Sequence, residues 1–453
     1  MKNEGRKLPG KPLAIVAALA VLIRLVLFFV YQPVSYSDTP SYRRLAEAVL
    51  NGFQRYDGTR TPGYPVFLAL IGPDQRVYLA QLLLGLLTTL LLFWIAWRLT
   101  SNAWLAGAIA LAHSLNLGQL FFEANLLTET LTTFWLVLTL AAILLLLTRS
   151  RPDIWLAAGI GLFSALAAIT RPLFIYLPFW LLLFVVWHAV QSAAPPKKLS
   201  AWLASIFTWR VWASAIAVLI PTALILGSWL YFIHDRYHMW SLSTMTGYHM
   251  IQHTGNFFEY LPDEYAALRD TYLDYRQAHI AEYGTQTNTI WEAIPEMQKV
   301  SGLTFYDLSR KLSELSVWLI LRHPDLFLRN VLKGWWFFWR APVYWQADAF
   351  RFSALAGIAS PLVLLERGLL VAANLVFVVV SLPALFIKRL LPAQATQRAF
   401  QCCLVGTIWI GSVVQSLLDH GDNPRFLVPM QSLVVLWLLW FAYRTWFAIR
   451  KKT

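Results

Sequence analysis

One aspartate stands where a proton acceptor could act on a hydroxyl group. Asp38 lies between Ser37 and Thr39, seven residues after the first long apolar run ends, and this spacing places it at the mouth of a predicted helix bundle. A carboxylate there can accept the proton of an attacking hydroxyl when partial burial adjusts its pKa. The letters SDTPSY are also typical of a helix N-cap formed by Asp38 or Thr39. The spacing alone leaves both interpretations open.

Four arginines are predicted to lie at helix ends or turns on the same side of the bundle as Asp38. They are Arg60, Arg171, Arg340 and Arg425. A guanidinium group at headgroup depth binds phosphate oxygens in a fork, and it also snorkels to lipid headgroups. Arg171 precedes a proline in a nearly loopless reversal, and Arg425 follows the turn DHGDNP. These two positions are too constrained for simple lipid anchors.

Three further acidic residues are candidates for a second carboxylate: Asp57, Glu123 and Glu129. Glu129 is predicted to lie one turn inside the membrane, where an ionised side chain costs about 2 kcal/mol or more and therefore usually lines a polar cavity. The six residues between Glu123 and Glu129 turn a helix by about 600°, so the two do not share a face. Either glutamate could instead be a helix N-terminal charge, and Asp57 in RYDG is typical of a turn.

Two histidines are spaced as metal ligands on one helix face would be. His249 and His253 lie four residues apart, but the glutamate of an HExxH pattern is missing. A solvated pair is the commoner arrangement, so these are weak metal candidates. The two cysteines, Cys402 and Cys403, are adjacent in a predicted helix and therefore cannot form a disulfide framework.

The elements that position these residues are predicted by composition. The 453 residues are 58% hydrophobic and 13% charged, which leaves too little polar surface for a soluble globule. Ten apolar runs are long enough to cross about 30 Å of hydrocarbon as helices. The runs lie near residues 13–31, 79–97, 103–119, 126–147, 154–169, 173–190, 211–233, 367–387, 400–418 and 426–446. The predicted fold class is an all-α, polytopic membrane protein.

Lysine and arginine residues predict the orientation, because short cytoplasmic loops retain positive charge. They collect at one face if both chain termini are cytoplasmic, including Arg98, Arg149, Arg151, Lys388 and Arg389. The net charge of +13 is then a topology signal, with membrane lipid headgroups as partners. Nothing indicates a nucleic-acid partner. The short predicted inner loops hold no nucleotide-binding motif, so an activated substrate would arrive within the membrane.

The chain divides into three predicted parts. Residues 1–233 form a transmembrane module with the first outer loop, residues 234–366 an outer helical region, and residues 367–453 the last membrane helices. In the first outer loop, residues 41–51 have the periodicity of a helix along the membrane interface, and the turn TRTPGYP returns Arg60 to the membrane edge. The aromatic run at 332–345 is typical of a headgroup-level belt.

Five short motifs occur in a recognisable order relative to the predicted helices. They are SDTPSY from Ser37, RTPGYP from Arg60, TETL from Thr128, TRP from Thr170 and PRFLVP from Pro424. In these motifs and in its topology the chain resembles the GT-C superfamily of membrane glycosyltransferases, in particular the protein O-mannosyltransferase and aminoarabinose transferase-like branch. Residues 234–350 match nothing in that pattern.

The resemblance implies a GT-C-like bundle of about ten transmembrane helices and a sugar donor carried on a polyprenyl phosphate. It also implies an acidic catalytic residue in the first outer loop, which by position is Asp38. Some members pair two acidic residues there, whereas Thr39 follows Asp38 here. The second carboxylate and the need for a divalent metal ion therefore stay open.

The expected activity is inverting transfer of the sugar to an acceptor hydroxyl of a lipid, glycan or protein, on the outer, periplasmic face of a bacterial inner membrane. The arginines Arg60, Arg171 and Arg425, with Arg340, are expected to hold the donor phosphate. The alternatives are a lipid-linked sugar transporter or flippase and a non-catalytic accessory subunit of the same fold. A transporter would favour an internal repeat, which the sequence lacks.

Overall fold

The computed structural model describes residues 8–193, 207–418 and 424–450. Within these ranges the secondary structure is helical, apart from two isolated β-bridges. The helices are α1 (Gly10–Val30), α2 (Thr39–Leu50), α3 (Gly63–Ile71), α4 (Asp74–Thr100), α5 (Ala103–Ser114), α6 (Leu117–Ala124), α7 (Glu129–Thr148), α8 (Ile154–Thr170), α9 (Leu177–Ala193), α10 (Trp209–Tyr237), α11 (Thr246–Thr254), α12 (Ala266–Tyr283), α13 (Thr289–Ser301), α14 (Phe305–Arg322), α15 (Pro324–Phe338), α16 (Ser353–Phe386), α17 (Ala395–Leu418) and α18 (Val428–Arg450). The turn DHGDNP, with Asp419 and Asp422, begins outside the described residues.

Eight helical spans in the described ranges are long and apolar enough to cross a membrane, one of them α9 together with the 3-10 turn Pro172–Tyr176 that precedes it, and the count is nine if the bent pair α5 and α6 is one span. The helix α8 is apolar but shorter, at 17 residues. Each of the ten predicted runs coincides with one of these elements. The described chain is therefore an all-α, multi-pass membrane protein, as its hydropathy predicts.

The bend between α5 and α6 is built by side chains that cap the second helix. The side chain of Asn116 accepts a hydrogen bond from the backbone N–H of Gln119 (2.9 Å), and the carboxylate of Glu366 accepts from Leu117 (2.9 Å). These contacts satisfy N–H groups that a new helix start leaves without partners. The bend directs α6 towards the residues that carry the candidate site.

Helix α16 differs from its predicted boundary. It begins at Ser353, whereas the apolar run was predicted from residue 367, so the end of the predicted outer region 234–366 is helical. The adjacent charges of Glu366 and Arg367 interrupt the hydropathy without interrupting the helix. Glu366 is accommodated there because it caps α6.

A small helical subdomain, formed by α11 to α14, has a hydrophobic core of its own that includes Tyr248, Ile251 and Leu312. Its helices α11 and α14 pack closely at Gly247, where a Cβ atom would lie 1.8 Å from the carbonyl oxygen of Ser309. Glycine is therefore required for this approach. The predicted outer region thus contains a compact helical unit.

Helix α15 connects this subdomain to the membrane helices. The indole N–H of Trp335 donates to the hydroxyl of Ser412 (3.0 Å), and its ring stacks on Trp409 at 5.6 Å. Part of the predicted aromatic belt therefore packs against α17 instead of facing lipid alone.

The helix bundle has two ends, and different residues meet at each. At one end, which we call the Asp38 end, four residues from different parts of the chain contact one another: Arg171 at the end of α8, Glu129 at the start of α7, Arg425 just before α18, and Asp38 in the segment that follows α1. At the opposite end of the bundle, α4 and α7 end and α17 begins. Gln397 of α17 donates there to the carbonyl of Leu99 in α4 (2.7 Å). The 20 residues of α7 separate the two ends by about 30 Å.

Candidate active site

A backbone hydrogen bond and a β-bridge hold the segment that carries Asp38. Between α1 and α2, Gln32 donates to the carbonyl of Ala349 (2.9 Å), and Val34 forms a parallel bridge with Asn125. The segment is thus fixed between two other parts of the chain, one of which leads directly into α7.

Asp38 occupies the N-cap position of α2, but its side chain makes no capping hydrogen bond. Its two carboxylate oxygens instead accept from Arg60 Nη2 (2.7 Å) and Arg425 Nη2 (2.5 Å). Thr39 fixes the start of the helix by donating its hydroxyl to the carbonyl of Leu126 (3.1 Å). The Asp38 side chain therefore does not cap α2 and faces two arginines instead. Its role as a proton acceptor stays a prediction.

These contacts determine the charge of Asp38. Burial alone would raise the pKa of this carboxyl group, but the guanidinium groups of Arg60, Arg425 and Arg171 outweigh burial and lower the pKa below its usual value. Asp38 is therefore ionised at neutral pH in this arrangement.

Glu129 lies close to two arginines. Its Oε1 atom lies 2.9 Å from Arg171 Nη1 and 3.6 Å from Arg425 Nε, and its side chain is only 1% exposed. The five residues form a row of alternating charge, Arg60–Asp38–Arg425–Glu129–Arg171, which we call the ion chain. Three guanidinium groups and two carboxylates give it a formal net charge of +1.

The ion chain depends on a close approach between two motifs. Gly63 of RTPGYP packs against the backbone of TRP, and a Cβ atom on Gly63 would lie 2.6 Å from the Cα atom of Thr170. Only glycine permits this approach without a shift of the backbone. It brings Arg60 and Arg171, which are far apart in the sequence, to the same cavity.

A cavity of about 430 Å³ adjoins the ion chain. All three arginines of the ion chain line it, whereas Asp38 and Glu129 are not among its lining residues. Much of the remaining polar lining consists of hydroxyl groups. These belong to Thr59, Thr61, Thr128, Thr170, Ser241, Ser243 and Thr246. A cavity with exposed guanidinium groups and many hydroxyls suits an anionic ligand that carries a polyhydroxyl group.

A second, apolar groove of about 690 Å³ lies next to this cavity, and Thr170 lines both. Its lining includes Phe53, Val66, Phe67, Trp135, Ile225 and Trp229. Ile225 lies in a π-helical turn of α10, Ala223–Gly227, that follows Pro221. Proline cannot supply a helical N–H, and such turns often occur beside functional sites. The site therefore combines a charged cavity with an apolar groove.

Glu123 is not part of the ion chain. Its carboxylate accepts two hydrogen bonds from Arg24, at 2.9 Å from Nε and 2.6 Å from Nη2. Both side chains are buried, and Gly85 leaves room for them, since a Cβ atom there would lie 1.9 Å from a carboxylate oxygen of Glu123. This pair is a separate, closed contact between α1 and α6.

Asp57 and Arg340 also lie apart from the ion chain. Asp57 accepts from the backbone N–H of Thr59 (2.9 Å) and pairs with Arg44 (2.7 Å), as a turn residue does. Arg340 is exposed, lies over the ring of Phe337 at 4.0 Å and does not line the cavity.

The two histidines face different surroundings. His249 lines the cavity, and its ring packs on Trp291 at 5.6 Å. His253 is buried and packs on Phe327 at 5.5 Å. Within residues 8–193, 207–418 and 424–450, no three His, Cys, Asp or Glu side chains cluster as metal ligands would.

Sequence reasoning missed two sets of residues. The hydroxyl-bearing wall at Ser241, Ser243 and Thr246 comes from the segment without a recognised motif, although the serine and threonine run directly after a predicted membrane helix is a usable signal. The second is Arg24, whose charge inside an apolar run signals a buried partner.

Comparison of the chain with protein families, with curated proteins and with solved structures finds no match.

Proposed function

We propose that the protein is a glycosyltransferase that moves a sugar from a polyprenyl-phosphate donor to an acceptor hydroxyl, with inversion, on the outer face of a bacterial inner membrane. The observation that carries the proposal is the set of three arginines, Arg60, Arg171 and Arg425, which line a cavity that shares Thr170 with an adjacent apolar groove. A polyprenyl-phosphate sugar has an apolar tail, an anionic phosphate and a hydroxyl-rich head in the same order. The order of the five sequence motifs supports the same class.

In this proposal the donor enters from the membrane. The polyprenyl tail occupies the apolar groove, its phosphate binds the arginines near Thr170, and the sugar fills the hydroxyl-lined cavity. Preorganised guanidinium groups stabilise the charge that develops on the phosphate as the bond to the sugar breaks. Glu129 keeps Arg171 and Arg425 in position through their ion pairs.

Asp38 acts as the general base. It takes the proton of the acceptor hydroxyl, whose oxygen forms a bond to the anomeric carbon from the face opposite the phosphate. The carbon–oxygen bond to phosphate breaks, polyprenyl phosphate leaves with the electron pair, and the configuration inverts. The arginines that hold Asp38 are also those that line the cavity. Phosphate binding would therefore draw Arg60 and Arg425 away from Asp38 and make it a stronger base.

The test is a transfer assay on the full chain in nanodiscs, with a panel of polyprenyl-phosphate sugars and an acceptor extract, and with released polyprenyl phosphate as the readout. Asp38→Asn should lower transfer about 10²- to 10⁴-fold, as expected for loss of a general base, with donor binding retained. Asp74→Asn is the matched control, because Asp74 pairs with Arg43 outside the ion chain.

Release by the wild type and by Asp74→Asn, but not by Asp38→Asn, would support the proposal. Full turnover in Asp38→Asn would remove Asp38 from the mechanism. Donor binding without release by the wild type would favour a transporter or an accessory subunit over an enzyme.

A further inference from the structure

A second polar cavity lies at the opposite end of the bundle, about one membrane thickness from the ion chain. It has a volume of about 720 Å³ and lies where α4 and α7 end and α8 begins. Among the described residues, its charged lining consists of Arg98, Arg149, Arg151 and Asp153. We call it the arginine pocket. The proposed transfer reaction uses none of these residues.

The arginine pocket has an excess of positive charge. Asp153 is its only described carboxylate, and it caps α8 by accepting from the N–H of Leu156 (3.1 Å). Arg149 and Arg151 are exposed and make no ion pair with any residue that the structure describes. Three guanidinium groups against one carboxylate give a formal charge of +2.

The arginines converge on the cavity from different elements. Arg98 of α4 donates from Nη2 to the hydroxyl of Thr148 in α7 (3.2 Å), and this contact holds it at the pocket. The loop after α7 supplies Arg149 and Arg151, together with the hydroxyl of Ser150. Arginines that only set the orientation of the chain in the membrane do not need to line one cavity together. Planar guanidinium forks and a hydroxyl donor around one concave site match the oxygens of a phosphate group.

The surroundings of the pocket indicate the source of the phosphate. Ile154, which lines the pocket, and the adjacent Trp155 are exposed, Trp155 at 86%. Large exposed apolar side chains at the end of a membrane helix face acyl chains and the headgroup boundary. A phospholipid places its phosphate and its acyl chains in this same relation.

We propose that the arginine pocket binds a phosphate-bearing anion, the headgroup of an anionic phospholipid in the leaflet at the opposite end. The sequence predicts that this leaflet is cytoplasmic. The inference stands independently of the proposed sugar transfer.

The test uses the full chain in detergent, titrated with dioleoyl phosphatidylglycerol or dioleoyl phosphatidylcholine and followed by native mass spectrometry. The double variant Arg149→Gln/Arg151→Gln should lose the preference for phosphatidylglycerol by about tenfold or more, since each basic residue contributes to anionic lipid binding. The matched control is Lys388→Gln/Arg389→Gln, which removes two exposed basic residues at the same end of the bundle.

Loss in the arginine variant alone would support the pocket. Equal loss in both variants, or no loss in either, would overturn it, because general surface charge would then explain the lipid preference. A parallel titration with inorganic phosphate separates the sources. Displacement of phosphatidylglycerol by millimolar phosphate from the wild type would overturn the lipid as the ligand and identify soluble phosphate.

Discussion

Two groups of arginine and acidic side chains lie within this bundle, and they differ in what the guanidinium groups face. In the Arg24–Glu123 pair, all three guanidinium nitrogens of Arg24 donate within the protein, to Glu123, Ser114 and the carbonyl of Ala20. In the ion chain, three arginines share two carboxylates and line a cavity.

The difference separates a structural contact from a candidate site. A guanidinium group whose three nitrogens all donate within the protein serves to hold its helices together. Guanidinium groups that share carboxylates and face a cavity can exchange a carboxylate partner for a ligand phosphate. Buried charge alone therefore does not indicate a site, whereas charge that is open to a cavity marks a candidate site.

The largest expected effect is the loss of stability when the Arg24–Glu123 pair is broken. Glu123→Ala leaves the Arg24 charge buried without its partner, and we expect the free energy of unfolding to fall by about 3–5 kcal/mol. Asp38→Ala should cost less, because Asp38 lies beside the cavity with 16% of its side chain exposed and Arg60 and Arg425 can turn towards water. Thermal unfolding of both variants in the same detergent measures the difference.

The double variant Arg24→Met/Glu123→Leu is the control for this prediction. Apolar side chains of similar volume remove both charges, so most of the stability should return. If Asp38→Ala destabilised the protein more than Glu123→Ala, the distinction would be wrong between the structural Arg24–Glu123 pair and an ion chain that faces a cavity.

What the sequence could predict depends on the range of the interactions involved. Hydropathy is a property of contiguous residues, so each of the ten apolar runs corresponds to a helical element. Asp38, Arg171 and Arg425 lie close to the ends of predicted spans, and the turn TRTPGYP returns Arg60 to the membrane edge, so their common end of the bundle could also be predicted. Their ion pairs are seen only in the folded chain, and their chemical role stays a prediction.

Partners from distant helices could not be predicted. Glu123 was a candidate for the site, but its partner Arg24 lies 99 residues earlier in the chain, and only helix packing brings them together. Glu366 marked the end of a predicted loop, because its role as the cap of α6 depends on a contact across the bundle. Charge within an apolar sequence predicts that a partner exists and does not identify it.

A smaller effect, on phosphate binding, is expected from replacing one arginine of the ion chain. Arg171→Gln removes a charged donor from the cavity, and we expect the affinity for a short-chain polyprenyl phosphate to fall about 10- to 100-fold, the usual contribution of a charge-assisted hydrogen bond. Isothermal titration in nanodiscs measures it. Arg340→Gln is the matched control, because Arg340 lies on Phe337 away from the cavity, and it should bind as the wild type does. Equal losses in both variants would mean that the phosphate binds elsewhere.

The smallest effect is a shift in pH dependence, and it tests whether the ion chain controls Asp38. The arginines lower the pKa of Asp38 against the effect of burial, so Arg60→Gln, which removes one nearby positive charge, should raise that pKa. A general base must be ionised, and activity therefore falls as the pH drops through its pKa. The acidic limb of kcat/KM should consequently move to higher pH in Arg60→Gln. In Arg44→Gln, which removes an arginine paired with Asp57, the limb should not move. An unmoved limb in Arg60→Gln would assign the titrating base to a residue other than Asp38.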